Sequence, residues 1–240
     1  MKNGTGRRHY VLLIMFLFAV LLAGSGTMLT LYAQGRPHGE PPRAGGGEEV
    51  PVTPGEDLMR EHGILRRVLL VYEEIDRRAR ANDPQMQALG EAAGIIKSFI
   101  EDYHEKTEEE YVFPRFEKAK QQVELVRTLR AQHDAGRRIT ARIRQLAAAG
   151  ATDRKSLAEV SLRIHQFIRM YRPHAAREDT VLFPAFANLV GPTEYKVLGE
   201  TFEDREHRIF GEHGFENYVN KVAALEKRLG IHDLAKFTPR

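Results

Sequence analysis

From Thr53 onward, apolar residues recur every three to four positions with no sustained apolar/polar alternation, the pattern of amphipathic helices and not of strands. Thr53-Pro54-Gly55-Glu56 reads as a capping box with proline at the first helical position. The apolar stripe Leu58, Leu65, Leu69, Tyr72 and Ile75 then carries a first helix to about Ala81. Asn82-Asp83-Pro84 breaks it and starts a second, to about Ala119. A third runs from about Val123 to Ala149, closed by Gly150. Thr152-Asp153 opens a fourth, which reaches Leu189 before Val190-Gly191-Pro192, and a fifth spans about Thr193 to Leu229. Short connections make neighbouring helices antiparallel. The expected fold is therefore all-α: an up-down-up-down four-helix bundle over residues 53–190, with a fifth C-terminal helix and tail over 191–240.

The chain ahead of the bundle has a different character. Residues 1–34 place Lys2, Arg7 and Arg8 before the uncharged run Tyr10 to Gln34, whose most apolar part is Val11 to Ala23. A basic start followed by an apolar stretch predicts a signal peptide, and the run also reaches the length of about 20 residues that spans a bilayer as a membrane anchor. Arg7-Arg8-His-Tyr-Val-Leu resembles a twin-arginine signal. Each of these readings places the soluble part outside the cytoplasm of a bacterium, either periplasmic or anchored facing outward. Residues 35–52 are rich in Pro and Gly and lack apolar periodicity, as a flexible linker does. His9 and His38 fall in these two segments and are not candidate ligands.

Composition narrows the chemistry. The 240 residues contain no cysteine, which excludes disulfides, thiol catalysis and Cys-ligated zinc or iron–sulfur centres. The net charge of +3 is accounted for by Lys2, Arg7 and Arg8, leaving the remainder neutral. The basic balance comes from the leader, so nucleic acid is not expected as a partner.

The strongest chemical signal is a repeated phrase. His104 is followed by Glu108, Glu109, Phe113 and Pro114; His174 is followed at the same spacing by Glu178, Asp179, Phe183 and Pro184. On a helix, positions i and i+4 share a face, so each histidine and its carboxylate can reach one point. His62 and His133 add one histidine from each remaining bundle helix. Counted from the shared end of an antiparallel bundle, the four histidines fall near one level, at about 1.5 Å per residue. Any one of them alone reads as an ordinary boundary residue, and Glu108-Glu109-Glu110 alone reads as a solvated acidic face. Together they predict a two-metal centre held by His62, His104, Glu108, His133, His174 and Glu178, because burying two glutamates in a core without cations costs several kcal/mol each. His165 is expected at the surface or boundary and His232 in the C-terminal tail, whereas Glu203, Glu206, His207 and His213 leave open a contribution from the fifth helix. A ferritin-like centre needs two Glu-x-x-His motifs, and only Glu101 to His104 provides one.

The order His62; His104 and Glu108; His133; His174 and Glu178 resembles the hemerythrin-like HHE cation-binding domains, from about Glu56 to Leu189. The resemblance implies a four-helix bundle holding two iron ions in a non-haem di-iron centre with bridging carboxylates and an oxo or hydroxo bridge. It also implies a small diatomic or peroxide ligand. Imidazole plus carboxylate ligation suits iron, with manganese and zinc as competitors. This sequence departs from the oxygen carriers at two positions. Arg137 stands where they have a second third-helix histidine, and their last carboxylate lies at the spacing of Asp179, although Glu178 stacks better under His174. Pro173 should also kink the fourth helix. The function expected is therefore an exported or membrane-anchored di-iron protein binding or reducing O2, peroxide or NO in sensing, scavenging or redox response. The alternative is a non-catalytic, metal-stabilised interaction or signalling module.

Overall fold

A computed structural model describes residues 52–150 and 152–239, and among them the chain is helical with no strand. The expected leader of residues 1–34 and nearly all of the linker lie outside the described residues. No described helix is long and apolar enough to cross a membrane.

Four long helices form the bundle: α1 (Pro54–Arg80), α2 (residues 86–119), α3 (Val123–Ala149) and α4 (residues 154–190). α1 packs on α2, α2 on α3, α3 on α4, and α4 back on α1, closing a square. Their starts follow from local chemistry. Thr53 and Glu56 make the reciprocal capping box, each side chain accepting the other's backbone N–H. Asp153 accepts the N–H groups of Lys155 and Ser156 at 3.0 and 3.1 Å.

Two expectations are corrected. The second helix starts at Met86, beyond the Asn-Asp-Pro unit, because Asn82 takes a left-handed φ of 60° that ends α1 and Pro84 keeps its predecessor out of helical geometry. The single fifth helix is two. α5 (residues 192–210) is separated from α4 by Gly191 at φ 76°, and from α6 (Gly214–Leu229) by Gly211 at φ 83°. Residues with a side chain avoid that region, so these glycines turn the chain back onto α1 and α2, where α6 packs. Tyr195 ties α5 down by accepting the first-turn N–H of Gly55 at 2.9 Å. Arg67 and Arg78 of α1 grip Glu226 and the Leu229 carbonyl of α6.

The interior has two apolar compartments. One centres on Val68, Tyr72, Ile96, Phe99, Ile143 and Phe167; the other on Leu58, Phe113, Phe116, Leu129, Phe183 and Phe186. The histidine level divides the two in sequence on every bundle helix. Polar groups placed there are shielded from water on both sides.

Candidate metal centre

His62, His104, His133 and His174 sit on α1, α2, α3 and α4 at one level, all buried. Their inward nitrogens meet in two pairs: Nε2 of His62 and His104 lie 3.1 Å apart, and Nε2 of His133 and His174 lie 3.3 Å apart. Glu108 joins the pairs, with Oε1 3.7 Å from His104 Nε2 and Oε2 3.4 Å from His133 Nε2. Glu178 does the same, with Oε2 3.4 Å from His62 Nε2 and 3.1 Å from His174 Nε2. Two triads result, His62/His104/Glu108 and His133/His174/Glu178, each close enough to surround one cation. All six residues expected as ligands from the sequence are brought together.

The outward nitrogens explain how the rings are held. His104 Nδ1 donates to Glu61 at 2.5 Å, His133 Nδ1 to Glu109 at 3.1 Å, His174 Nδ1 to Gln132 at 2.9 Å, and His62 Nδ1 to Asp179 at 2.7 Å. Every donor–acceptor pair joins adjacent helices, and the direction runs once around the square. An Nδ1–H pointing outward fixes the tautomer that leaves the Nε2 lone pair facing the centre. Sequence reasoning missed Glu61, Glu109 and Gln132 in this role. A signal was present: each outer partner is the immediate chain neighbour of an inward-facing candidate ligand, as in Glu61-His62, Glu108-Glu109, Gln132-His133 and Glu178-Asp179.

The Phe-Pro pairs also acquire a reason. Pro114 and Pro184 have no N–H to continue the helix, and their rings crowd the carbonyl four residues back. Directly before each, the helix widens to a π turn in which Phe113 N–H bonds to the Glu108 carbonyl and Phe183 N–H to that of Glu178. An inward-facing glutamate, Glu108 or Glu178, thus begins each wide turn. The phenylalanines stack on histidines of the next helix, Phe113 on His133 at 5.5 Å and Phe183 on His62 at 5.6 Å between ring centres.

Electrostatics points to missing positive charge. Both carboxylate oxygens of Glu108 and of Glu178 are buried without a hydrogen-bond partner. Burial pushes the Glu108 carboxyl well above its usual range, and the neighbouring Glu178 charge adds to that. Glu178 moves the other way: against its own burial, His174 and His62 hold it well below that range. Burial drags His104 down, while His133 falls to about 4 despite Glu109. At His62 burial is outweighed by Asp179 and Glu178, which hold it at about 9. Orphaned carboxylates facing paired imidazole nitrogens are the donor set of a divalent or trivalent cation pair.

The remaining candidates separate cleanly. Asp179 lies outside the inner set, shared between His62 and Arg66, so the i+4 carboxylate Glu178 is the one that faces the centre. Arg137 does not turn toward the histidines; it pairs with Glu109 at 2.6 Å and Glu105 at 2.9 Å. His165 is exposed beside Asp76, and His232 pairs with Glu226 in the tail. His207 and His213 join no cluster of metal-ligating groups among the described residues, whereas Glu206 meets Asp57 and Glu61.

Comparison with known proteins agrees with this geometry. Residues 53–186 match the family described as Hemerythrin HHE cation binding domain. An uncharacterized protein of Mycobacterium bovis and two of Mycobacterium tuberculosis are each 45% identical to this chain, over 98% of it and 91% of their own length. No solved structure matches.

Proposed function

The chain belongs to the hemerythrin HHE cation-binding family, and from that premise we propose that it is a non-haem di-iron protein that binds or reduces a small oxidant. The observation that carries the reading is that Glu108 and Glu178 each reach both histidine pairs while having no other partner for their buried oxygens. His62, His104, Glu108, His133, His174 and Glu178 would hold the two ions. Bound there, iron supplies reversible electron exchange with O2, peroxide or NO.

The protein's own contribution is positioning and exclusion. Two histidines and a share of two carboxylates for each ion would leave coordination positions for a small ligand. The absence of a third-helix histidine at Arg137 adds to that room. Glu61, Glu109, Gln132 and Asp179 hold the rings so that little reorganisation accompanies a change of charge at the centre. The flanking apolar compartments keep bulk water and large reductants away, which suits a diatomic molecule or a peroxide. Residues 1–34, basic and then uncharged, support export or anchoring outside the cytoplasm.

The test is metal analysis with an optical spectrum of the full chain purified from iron-replete cells. Two irons per chain and a near-ultraviolet charge-transfer band that changes with azide or NO support the reading. Stoichiometric zinc, or no bound metal, rejects it.

A further inference from the structure

Three of the four outer partners of the histidines are carboxylates, and two of them are neutralised. Asp179 pairs with Arg66, and Glu109 with Arg137 and Lys106. Glu61 is different. It is buried, its Oε2 accepts from His104 Nδ1 at 2.5 Å, and no arginine or lysine pairs with it among the described residues. It meets two more carboxylates instead: Asp57, one turn earlier on α1, and Glu206 of α5, with one oxygen from each of the three within 4.8 Å of the others.

The surroundings do not balance this charge. Arg60 lies 3.8 Å from Asp57, but its guanidinium stacks on the Phe215 ring and is largely exposed. One oxygen of Glu206 accepts the Phe215 N–H at 2.7 Å, leaving the other free. The Tyr103 hydroxyl is fully buried, makes no well-formed hydrogen bond, and lies against Glu61, the innermost of the three carboxylates. Burial, and then the charges of Glu61 and Glu206, push Asp57 up to about 7. Asp57 and Glu206 are only partly buried, which leaves the cluster open to solvent on one side.

We propose that Asp57, Glu61 and Glu206, with the Tyr103 hydroxyl, form a third cation site through which divalent cations reach the paired histidines, one imidazole ring beyond. The ligands are oxygens only, so the site suits a hydrated, oxygen-preferring divalent cation held loosely enough to move on. Glu61 faces both ways, its free oxygen toward this cluster and its other oxygen on His104. It also gives the C-terminal extension a task, since Glu206 is contributed by α5. The proposed route rests on the dinuclear reading above; the cation site itself does not.

Two measurements on the full chain test it. Terbium(III) added to zinc-saturated protein should give tyrosine-sensitised emission that saturates at one ion per chain. Asp57→Asn and Glu206→Gln should each weaken that binding about tenfold through the lost ligand charge, and Glu91→Gln, on the far surface, should not. Tyr103→Phe should dim the emission at saturation. Second, cobalt(II) loading of the metal-free chain, followed by its visible band, should slow about fivefold in Asp57→Asn and Glu206→Gln at an unchanged final cobalt content. Circular dichroism checks that the variants fold. Terbium binding that is absent, or equal in all variants, overturns the site; equal loading rates overturn the route. A final content below two cobalt ions in the unaltered chain would instead sink the dinuclear reading, with the terbium result standing apart.

Discussion

Glu109 of α2 accepts the Nδ1–H of His133 of α3 at 3.1 Å, and its own charge is held by Arg137, 2.6 Å away. One carboxylate thus joins a surface cation to a candidate ligand, and Arg137 acts on the centre through Glu109 and not by facing it. Removing the carboxylate leaves the imidazole free to rotate or change tautomer. Glu109→Ala should lower metal affinity about 10- to 100-fold, the range for such outer partners. Arg137→Met should have a smaller effect of the same sign. Competition with a calibrated chelator measures both. Equal affinities in all three proteins would show that Phe113 stacking alone fixes the ring.

Glu178 and Asp179 are neighbours with different tasks. Glu178→Ala and Glu108→Ala should each empty both metal positions, because each carboxylate faces both histidine pairs. Asp179→Ala should keep the stoichiometry and weaken affinity, as expected of a residue that only orients His62. Metal content after gel filtration separates the cases. Loss of both ions in Asp179→Ala with retention in Glu178→Ala would reverse the assignment.

Pro184→Ala supplies the missing N–H and relieves the crowding that accompanies the wide turn from Glu178 to Leu182. The segment should relax toward a regular α-helix and rotate Glu178 away from the histidines. Helix content and the thermal stability of the metal-free chain are expected to hold or rise while metal affinity falls. The same holds for Pro114→Ala at Glu108. Circular dichroism paired with metal analysis checks it, and unchanged affinity would show that packing alone sets the wide turn.

Gly136 lies under the Tyr171 ring, and a methyl group added there would sit 2.0 Å from the Tyr171 hydroxyl. That hydroxyl donates to Glu105 at 2.6 Å inside the core. Gly136→Ala forces the ring out of place and should destabilise the metal-free protein by about 1–3 kcal/mol. Denaturant melts of the full chain read the effect; a stabilised variant would show that α3 shifts freely.

Metal removal should matter most of all to stability, because Glu108 and Glu178 then keep four buried oxygens without partners. Chelation should lower Tm by about 10 °C, on the basis of about 2–4 °C per kcal/mol for a chain of this size. Glu108→Leu should raise the Tm of the metal-free form while abolishing binding, since it removes a buried carboxyl with no partner. Calorimetry with and without chelator decides it; a Tm indifferent to metal would mean that the carboxylates are satisfied some other way.

The sequence by itself determined the four bundle helices, the capping box at Thr53, the full extent of α3 and the six histidine and glutamate side chains that meet at the centre. Those features depend on local chemistry and on a 3.6-residue period, both of which are written in consecutive residues. It also contained the repeated His-to-Pro phrase, but not the purpose of its proline, because a π turn depends on which carbonyl a backbone N–H finds once the helix is packed. Tertiary structure alone decided which neighbour each outer group serves. Glu61 adjoins His62 in the chain yet holds His104; Asp179 adjoins Glu178 yet holds His62. Those partnerships cross from helix to helix, and no spacing along one helix encodes them. The same limit hid the break at Gly211, since an amphipathic pattern continues through a turn when both halves cover the same core. It also hid the meeting of Asp57, Glu61 and Glu206, where α5 brings its carboxylate to the two on α1.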